Sequence, residues 1–233
     1  MTVYKTRNIV NCRDLGGYES PHGVTAGGRA LRCGIPKTPA DSDIETLKEL
    51  GIKTIFDLRG INEAAEAPSY FEGNKDFEYI NIPLLEANPA LNDINLPVWK
   101  MYAMSLDGFK DGYRELLERI GKCETPFLYH CFLGKDRTGI VTALLLGAAG
   151  VDREAIISDY ELSFDCLKPF LKWEIENKTG LIWEQDISRL QSRREYIADT
   201  LKYIDEKYGG IKEYLLSTGL TESAVEKAVD RLF

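Results

Sequence analysis

Ten consecutive residues carry the densest chemistry in the chain: His130-Cys131-Phe132-Leu133-Gly134-Lys135-Asp136-Arg137-Thr138-Gly139. The strand-like run Thr125-Pro126-Phe127-Leu128-Tyr129 leads into them, and an apolar, helix-like run from Thr138 to Ala149 leads away. A loop that leaves a strand and opens a helix turns backbone N–H groups toward one point, and the helix N-terminus adds positive potential there. A cysteine that starts such a loop is favoured as thiolate, the form that acts as nucleophile. Six positions on, Arg137 can swing back over the loop and grip two oxygens of a phosphate with its planar fork. Gly134 and Gly139 permit backbone angles and close approaches that other residues resist. Nucleophile, amide cradle and bidentate arginine together are the apparatus for in-line attack of sulfur on phosphorus. A Walker-type nucleotide loop needs Gly-x-x-x-x-Gly-Lys-Ser/Thr, but Asp136 follows Gly134-Lys135 and Tyr129 fills the earlier glycine position. A bare Cys-x5-Arg spacing also arises by accident around a buried structural cysteine. The flanking His130 and Thr138-Gly139, the internal Gly134 and the strand–loop–helix setting separate this stretch from that case.

The elements that must position this loop follow from patterning. Asp41 to Glu45 reads as a helix start, with Ser42 and Glu45 spaced as a capping box, Ile44, Leu47 and Leu50 on the buried stripe, and Gly51 ending it. Lys53 to Arg59 reads as a buried strand closed by Gly60, with Asp57 and Arg59 at its C-terminal end. Phe77 to Ile82 is a second strand, stopped by Pro83; residues 97–121 are one or two helices that bury Tyr113, Leu116, Leu117 and Ile120. Asp152 caps a further helix with Ile156, Ile157 and Tyr160 inside, and from there to Phe233 the pattern is almost wholly helical. Turns at Leu15-Gly16-Gly17, around His22 and at Gly27-Gly28 cut the N-terminal part into short extended pieces. Strands alternating with helices, then a helical tail, predict an α/β protein with a central sheet and helices on both faces.

A length of 233 residues suits one domain over 1–233, with room for a core that needs no disulfides or metal. With 29 basic and 37 acidic residues the net charge is −8, which argues against a nonspecific nucleic-acid or anionic-membrane binder. A local cluster of donors can still capture a small anion. The N-terminus lacks the apolar core of a secretory signal, and the most apolar stretch, 139–151, is too short to span a bilayer. Cys12, Cys33, Cys123, Cys131 and Cys166 match neither a disulfide framework nor a zinc pattern, and His22 and His130 are the two imidazoles available. The expectation is a reduced, cytoplasmic protein without metal or other cofactor.

The loop resembles the His-Cys-x5-Arg-Thr signature of the protein tyrosine phosphatase superfamily. HCFLGKDRTG is similar to that of the atypical bacterial tyrosine phosphatases that also hydrolyse phosphoserine, phosphothreonine and phosphoinositides. Further matches are Asn11-Cys12-Arg13-Asp14-Leu15-Gly16-Gly17-Tyr18, Asp57-Leu58-Arg59 with Glu63, and Asp159-Tyr160-Glu161-Leu162-Ser163. Two departures are Cys33 where serine is usual and Phe164 where asparagine often follows. The resemblance implies a tyrosine-phosphatase-like fold in which residues 152–207 can form a helical lid; Phe164, Leu167, Phe170, Leu171, Trp173 and Trp183 crowd that segment.

On this reading Cys131 is the nucleophile. Arg137 and the amides from Phe132, Leu133, Gly134 and Lys135 onward hold the phosphoryl oxygens, and Thr138 can donate its hydroxyl to the sulfur. His130 orients the loop and supports the thiolate. The Trp-Pro-Asp acid loop of ordinary tyrosine phosphatases is missing, Pro97-Val98-Trp99 being its nearest echo. The resemblance instead implicates Asp136 as general acid, with Asp57 as alternative or supporting carboxylate; helix capping is the competing role for Asp136, and pairing with Arg59 for Asp57. Lys135 is either a solvated cation or a second contact to a multiply phosphorylated substrate. Arg13, Asp14 and Arg32 brace the loop by ion pairing. The function expected is a metal-independent phosphomonoesterase acting on phosphotyrosine and phosphoserine/threonine in proteins. A phosphoinositide or inositol-phosphate phosphatase and a phosphate-binding module without turnover are the alternatives.

Overall fold

Every residue of the strand Phe127–Cys131 is buried, which is what a continuous apolar run in the middle of a parallel sheet requires. The computed structural model describes residues 1–86, 96–124, 126–177 and 190–233; Thr125 and Trp183 lie outside them. In chain order the strands are β1 (Arg13–Asp14), β2 (Glu19–Ser20), β3 (Gly23–Val24), β4 (Ala30–Gly34), β5 (Thr54–Asp57), β6 (Glu78–Asn81) and β7 (Phe127–Cys131). The helices are α1 (Asp41–Glu49), α2 (Ile61–Glu66), α3 (Val98–Gly108), α4 (Lys110–Lys122), α5 (Asp136–Ala148) and α6 (Arg153–Asn177), then α7 (Arg194–Tyr208), α8 (Ile211–Ser217) and α9 (Glu222–Asp230). The main sheet has the order β1-β4-β7-β5-β6, parallel except for β1, while β2 and β3 form a separate hairpin.

Register decides which side chains share a face, because alternate strand residues point to opposite sides. Phe127, Tyr129 and Cys131 face one way with Phe56 and Ala30, against a core built from α3 to α9. Leu128, Ile55, Leu31 and Cys33 face the other way, against Ile44 and Leu47 of α1 and against Phe71 and Phe77. Helices therefore cover both faces, as the pattern predicts. Helix α5 is apolar on all sides and buried almost throughout, so it forms the spine of the larger core.

Two local expectations change. Helix α1 begins after Ala40, and it is Asp43, not Glu45, whose carboxylate turns back to accept the Ala40 N–H at 3.0 Å. Asp43 also accepts the N–H groups of Arg7 and Asn8, which ties the N-terminal segment to this helix. Strand β4, with Arg32 in its middle, was hidden within the turn-rich N-terminal part. Asp152 does cap α6, accepting the Glu154 N–H at 2.9 Å. No helix among the described residues is long and apolar enough to cross a membrane.

Candidate active site

Cys131 ends β7, paired with Gly34 of β4, and is 2% exposed. The chain then loops through Phe132–Lys135 and enters α5 at Asp136. The loop's shape comes from what happens to its carbonyls. Phe132 O accepts the Ile35 N–H at 2.9 Å. Leu133 O and Gly134 O both accept the Asn11 side-chain amide, at 3.1 and 2.8 Å, and Gly134 O also accepts Arg32 Nη2 at 2.8 Å. In a planar trans peptide the N–H points opposite to the C=O. Three carbonyls drawn outward therefore turn the N–H groups of Leu133, Gly134 and Lys135 toward the inside of the loop. Gly134 has φ +67°, and a Cβ there would lie 2.3 Å from Cys33 O, so no other residue fits.

Beneath the loop lies a buried ionic knot. Arg13 meets the Asp159 carboxylate through Nε at 3.1 Å and Nη2 at 3.2 Å, and Arg32 meets it through Nη1 at 2.6 Å. Tyr18 donates to the same carboxylate at 3.0 Å, while Arg13 also bonds Ser163 and the side-chain oxygen of Asn11. Burial alone would raise the Asp159 carboxyl; Arg13 and Arg32 outweigh it and hold it below the usual carboxylate range. Arg13 and Arg32 thus brace the loop as expected. Asp14 does not: it gathers the N–H groups of Thr2, Gly16 and Gly28 and the Tyr4 hydroxyl around an N-terminal turn.

Arg137 stands in the first turn of α5, and Glu63 of α2 holds both its Nη atoms, at 2.6 and 3.0 Å. Burial opposes its charge, but the bonds to Glu63 and the nearness of Cys131 and Asp136 keep it a fixed cation. Asp136 is the first residue of α5, one past the Lys135 N-cap position, and its side chain is 31% exposed. Its Oδ1 accepts the Tyr102 hydroxyl and lies 3.3 Å from Lys135 Nζ, so the helix-capping role is not the one it plays. Lys135 is buried rather than solvated.

Asp57 is placed differently from a proton donor. It pairs in register with His130, and both face away from Cys131. Its carboxylate accepts Arg59 Nη2 at 2.6 Å and the Tyr79 hydroxyl at 2.7 Å. Burial raises this carboxyl, but the Arg59 guanidinium and the Tyr79 hydroxyl more than offset that and lower it; the His130 ring lies 3.8 Å away. His130 is fully buried, and burial pushes its imidazole toward the neutral form; Nδ1 lies 3.3 Å from Cys131 O. It can fix the strand end but offers the thiolate no cation. The Thr138 hydroxyl is buried without a hydrogen-bond partner in this structure, so the expected bond to the sulfur is not formed.

Tyr102 belongs to none of the sequence motifs, and Asn11, Glu63 and Asp159 enter only as motif matches. Apart from Arg13 beside Asn11, the partners that place them at the site are 34 to 146 residues away, so spacing carried no signal. On the outer flank of the loop, a cavity of about 730 Å³ is lined by Val10, Ile35, Lys37, Phe132, Leu133 and Phe170, among others, but not by Cys131 or Arg137. Leu167 and Leu171 of α6 pack on Leu133, with Phe164, Phe170 and Phe132 beside them.

A model of the tyrosine phosphatase family matches residues 4–233. The chain is 30% identical to a Cupriavidus necator protein provisionally named a tyrosine-protein phosphatase, over 89% of this chain and 80% of that one. It is 27% identical to a tyrosine-protein phosphatase of Nostoc commune, over 82% of this chain and 70% of the relative. Similarity to the triple specificity protein phosphatase PtpB of Mycobacterium tuberculosis is 28% identity, over 86% of this chain and 89% of that protein.

Proposed function

The chain belongs to the tyrosine phosphatase family and is a hydrolase of that type, and from that premise we propose a metal-independent cysteinyl-phosphate mechanism centred on Cys131. The thiolate attacks phosphorus of a phosphomonoester; the bond to the leaving oxygen breaks as Asp136 protonates that oxygen. The inward N–H groups and Arg137 carry the charge that builds on the phosphoryl oxygens. Water then attacks the cysteinyl phosphate, the S–P bond breaks, Asp136 takes the water proton, and phosphate and thiolate are released. The observation that carries this reading is the outward tethering of the loop carbonyls by Asn11 and Arg32 around Cys131. A loop so tied is an anion cradle with a nucleophile at its edge.

Phosphotyrosine is the proposed substrate, with phosphoserine and phosphothreonine in proteins as further ones; the name of the mycobacterial relative supports the breadth. Residues 1–233 act as one catalytic domain, and α6 walls one side of the loop. Turnover is favoured over a mere binding module because Cys131, Asp136 and Arg137 stand together in the loop and first turn. A phosphoinositide reading rested on Lys135, but its ammonium is buried against Asp136, which favours action on the acid over capture of a second phosphate. The test is a panel of phosphotyrosine peptide, phosphoserine peptide and phosphoinositide, with chelator present throughout. Hydrolysis of the peptides, and its loss in Cys131→Ser, is the expected result. Activity that disappears with chelator, or survives in Cys131→Ser, refutes the mechanism.

A further inference from the structure

Asp136 is not left to find its own direction. Three helices supply the chain of polar groups that leads to its carboxylate: α5 supplies Asp136, α3 supplies Tyr102 and α6 supplies Tyr160. The Tyr102 hydroxyl donates to Asp136 Oδ1 and lies 2.5 Å from the Tyr160 hydroxyl. Both tyrosines are 1% exposed, and their rings meet edge-on at 6.2 Å, so neither hydroxyl can swing to solvent. A tyrosine hydroxyl has one proton to give. The charge-assisted bond to a carboxylate is the stronger use of it, so Tyr160 must be the donor to Tyr102. The two hydroxyls form a directed chain that ends on one oxygen of Asp136.

We infer that Tyr102 is a positioning residue for Asp136, holding Oδ1 so that Oδ2 is the oxygen that carries the proton to the leaving group, and that Tyr160 in turn fixes Tyr102. The inference rests on the reading of Asp136 as general acid. It also explains the glycine that closes the loop motif. A Cβ on Gly139 would lie 2.8 Å from Tyr160 Cδ2 and 3.1 Å from Cε2. Gly139 leaves the space that the Tyr160 ring occupies, so the loop motif and the Asp159-Tyr160 segment are parts of one device. Lys135 Nζ, 3.3 Å from the same Oδ1, loads that oxygen further. When Asp136 is protonated on Oδ2, Oδ1 is the carbonyl oxygen and still accepts the Tyr102 hydroxyl, though as a weaker, neutral bond, so the carboxyl keeps its aim in both protonation states.

The experiment compares Tyr102→Phe, Tyr160→Phe, Asp136→Asn and the Tyr102→Phe/Asp136→Asn double variant on an alkyl phosphate and on p-nitrophenyl phosphate. Loss of a hydrogen bond to a charged group is expected to cut Tyr102→Phe kcat on the alkyl ester about tenfold, with little change on the activated aryl ester. Tyr160→Phe should show the same leaving-group signature, more weakly. The double variant should be no slower than Asp136→Asn, because the chain acts through that carboxylate. Equal slowing of both substrates by Tyr102→Phe, or an additive loss in the double variant, means that Tyr102 only packs and overturns the inference. If Asp136→Asn shows leaving-group dependence while Tyr102→Phe does not, the inference alone fails. If Asp136→Asn shows none, the acid assignment fails and takes the inference with it.

Discussion

Arg137 meets two demands at once. Two of its five N–H donors are committed to Glu63, and in the proposed mechanism the remaining ones serve the phosphoryl group. Lysine keeps the charge but can neither be locked by Glu63 in this bidentate way nor present a fork to phosphate. Arg137→Lys should therefore lower kcat on the order of 10²-fold, because the lost contacts matter most in the transition state. A change confined to KM would contradict this role. Cys131 invites a second residue-level expectation. An activated thiol is readily oxidised, so mild peroxide should inactivate the enzyme and added thiol should restore it. Cys33 is the nearest cysteine by strand pairing, yet it pairs with His130 and belongs to the opposite face of the sheet. A disulfide requires Cβ atoms that point toward each other. Mass spectrometry of the inactivated protein should then find Cys131 oxidised without a bond to Cys33; finding that bond would show that the strand end rearranges.

At the scale of elements, the loop is only as good as what ties its carbonyls back. Asn11 holds two of them from a left-handed backbone position, φ +55°. Asn11→Ala should free the Leu133 carbonyl and leave the Gly134 carbonyl to Arg32 alone, loosening the aim of the amides and weakening inhibition by inorganic phosphate about tenfold at a cost of one or two hydrogen bonds. Competition assays against a phosphate monoester would measure it, and an unchanged inhibition constant would mean that the helix start alone shapes the cradle. Much of this architecture was legible beforehand. β5, β7 and α5 announce themselves because their apolar runs are bounded by glycine or proline, and α4 because Tyr113, Leu116, Leu117 and Ile120 recur on one face. β4 did not, because Arg32 interrupts its apolar pattern as if it faced solvent. Its counter-charge, Asp159, lies 127 residues on, and no local rule reports so distant a partner. The same limit hid Tyr102, a core-like tyrosine until its hydroxyl is seen to end on Asp136. Cys131 and Arg137 stand out in the sequence because one loop contains both; the contacts around Asp136 do not, because different helices supply them.

For the molecule as a whole, the buried ionic groups set how stability depends on pH. Exposed pairs such as Lys48–Asp76 and Lys53–Glu124 contribute little and weaken further with salt. Asp57 and Asp159 are different, being fully buried and held below the usual carboxylate range by their partners. A carboxyl lowered in the folded state adds stability that is complete above its unfolded value of about 3.9 and is lost as pH falls through the folded value. His130 acts in the same direction, since burial keeps it neutral while an unfolded imidazole protonates near about 6.5. Stability should therefore begin to erode below about pH 6.5 and fall steeply below about pH 4. Asp159 is the decisive group, because Arg13 and Arg32 share its carboxylate deep in the structure. Asp159→Asn keeps the shape but leaves two buried guanidinium groups without a counter-charge. It should cost about 3–5 kcal/mol at neutral pH, the range for removing one partner of a buried pair. Because the titrating carboxyl is gone, the variant should also lose less of its remaining stability between about pH 4 and pH 3 than the parent does. Urea unfolding of both proteins across that range measures both quantities. Equal stability at pH 7 with an unchanged acid slope would mean that the two arginines are neutralised by something other than Asp159.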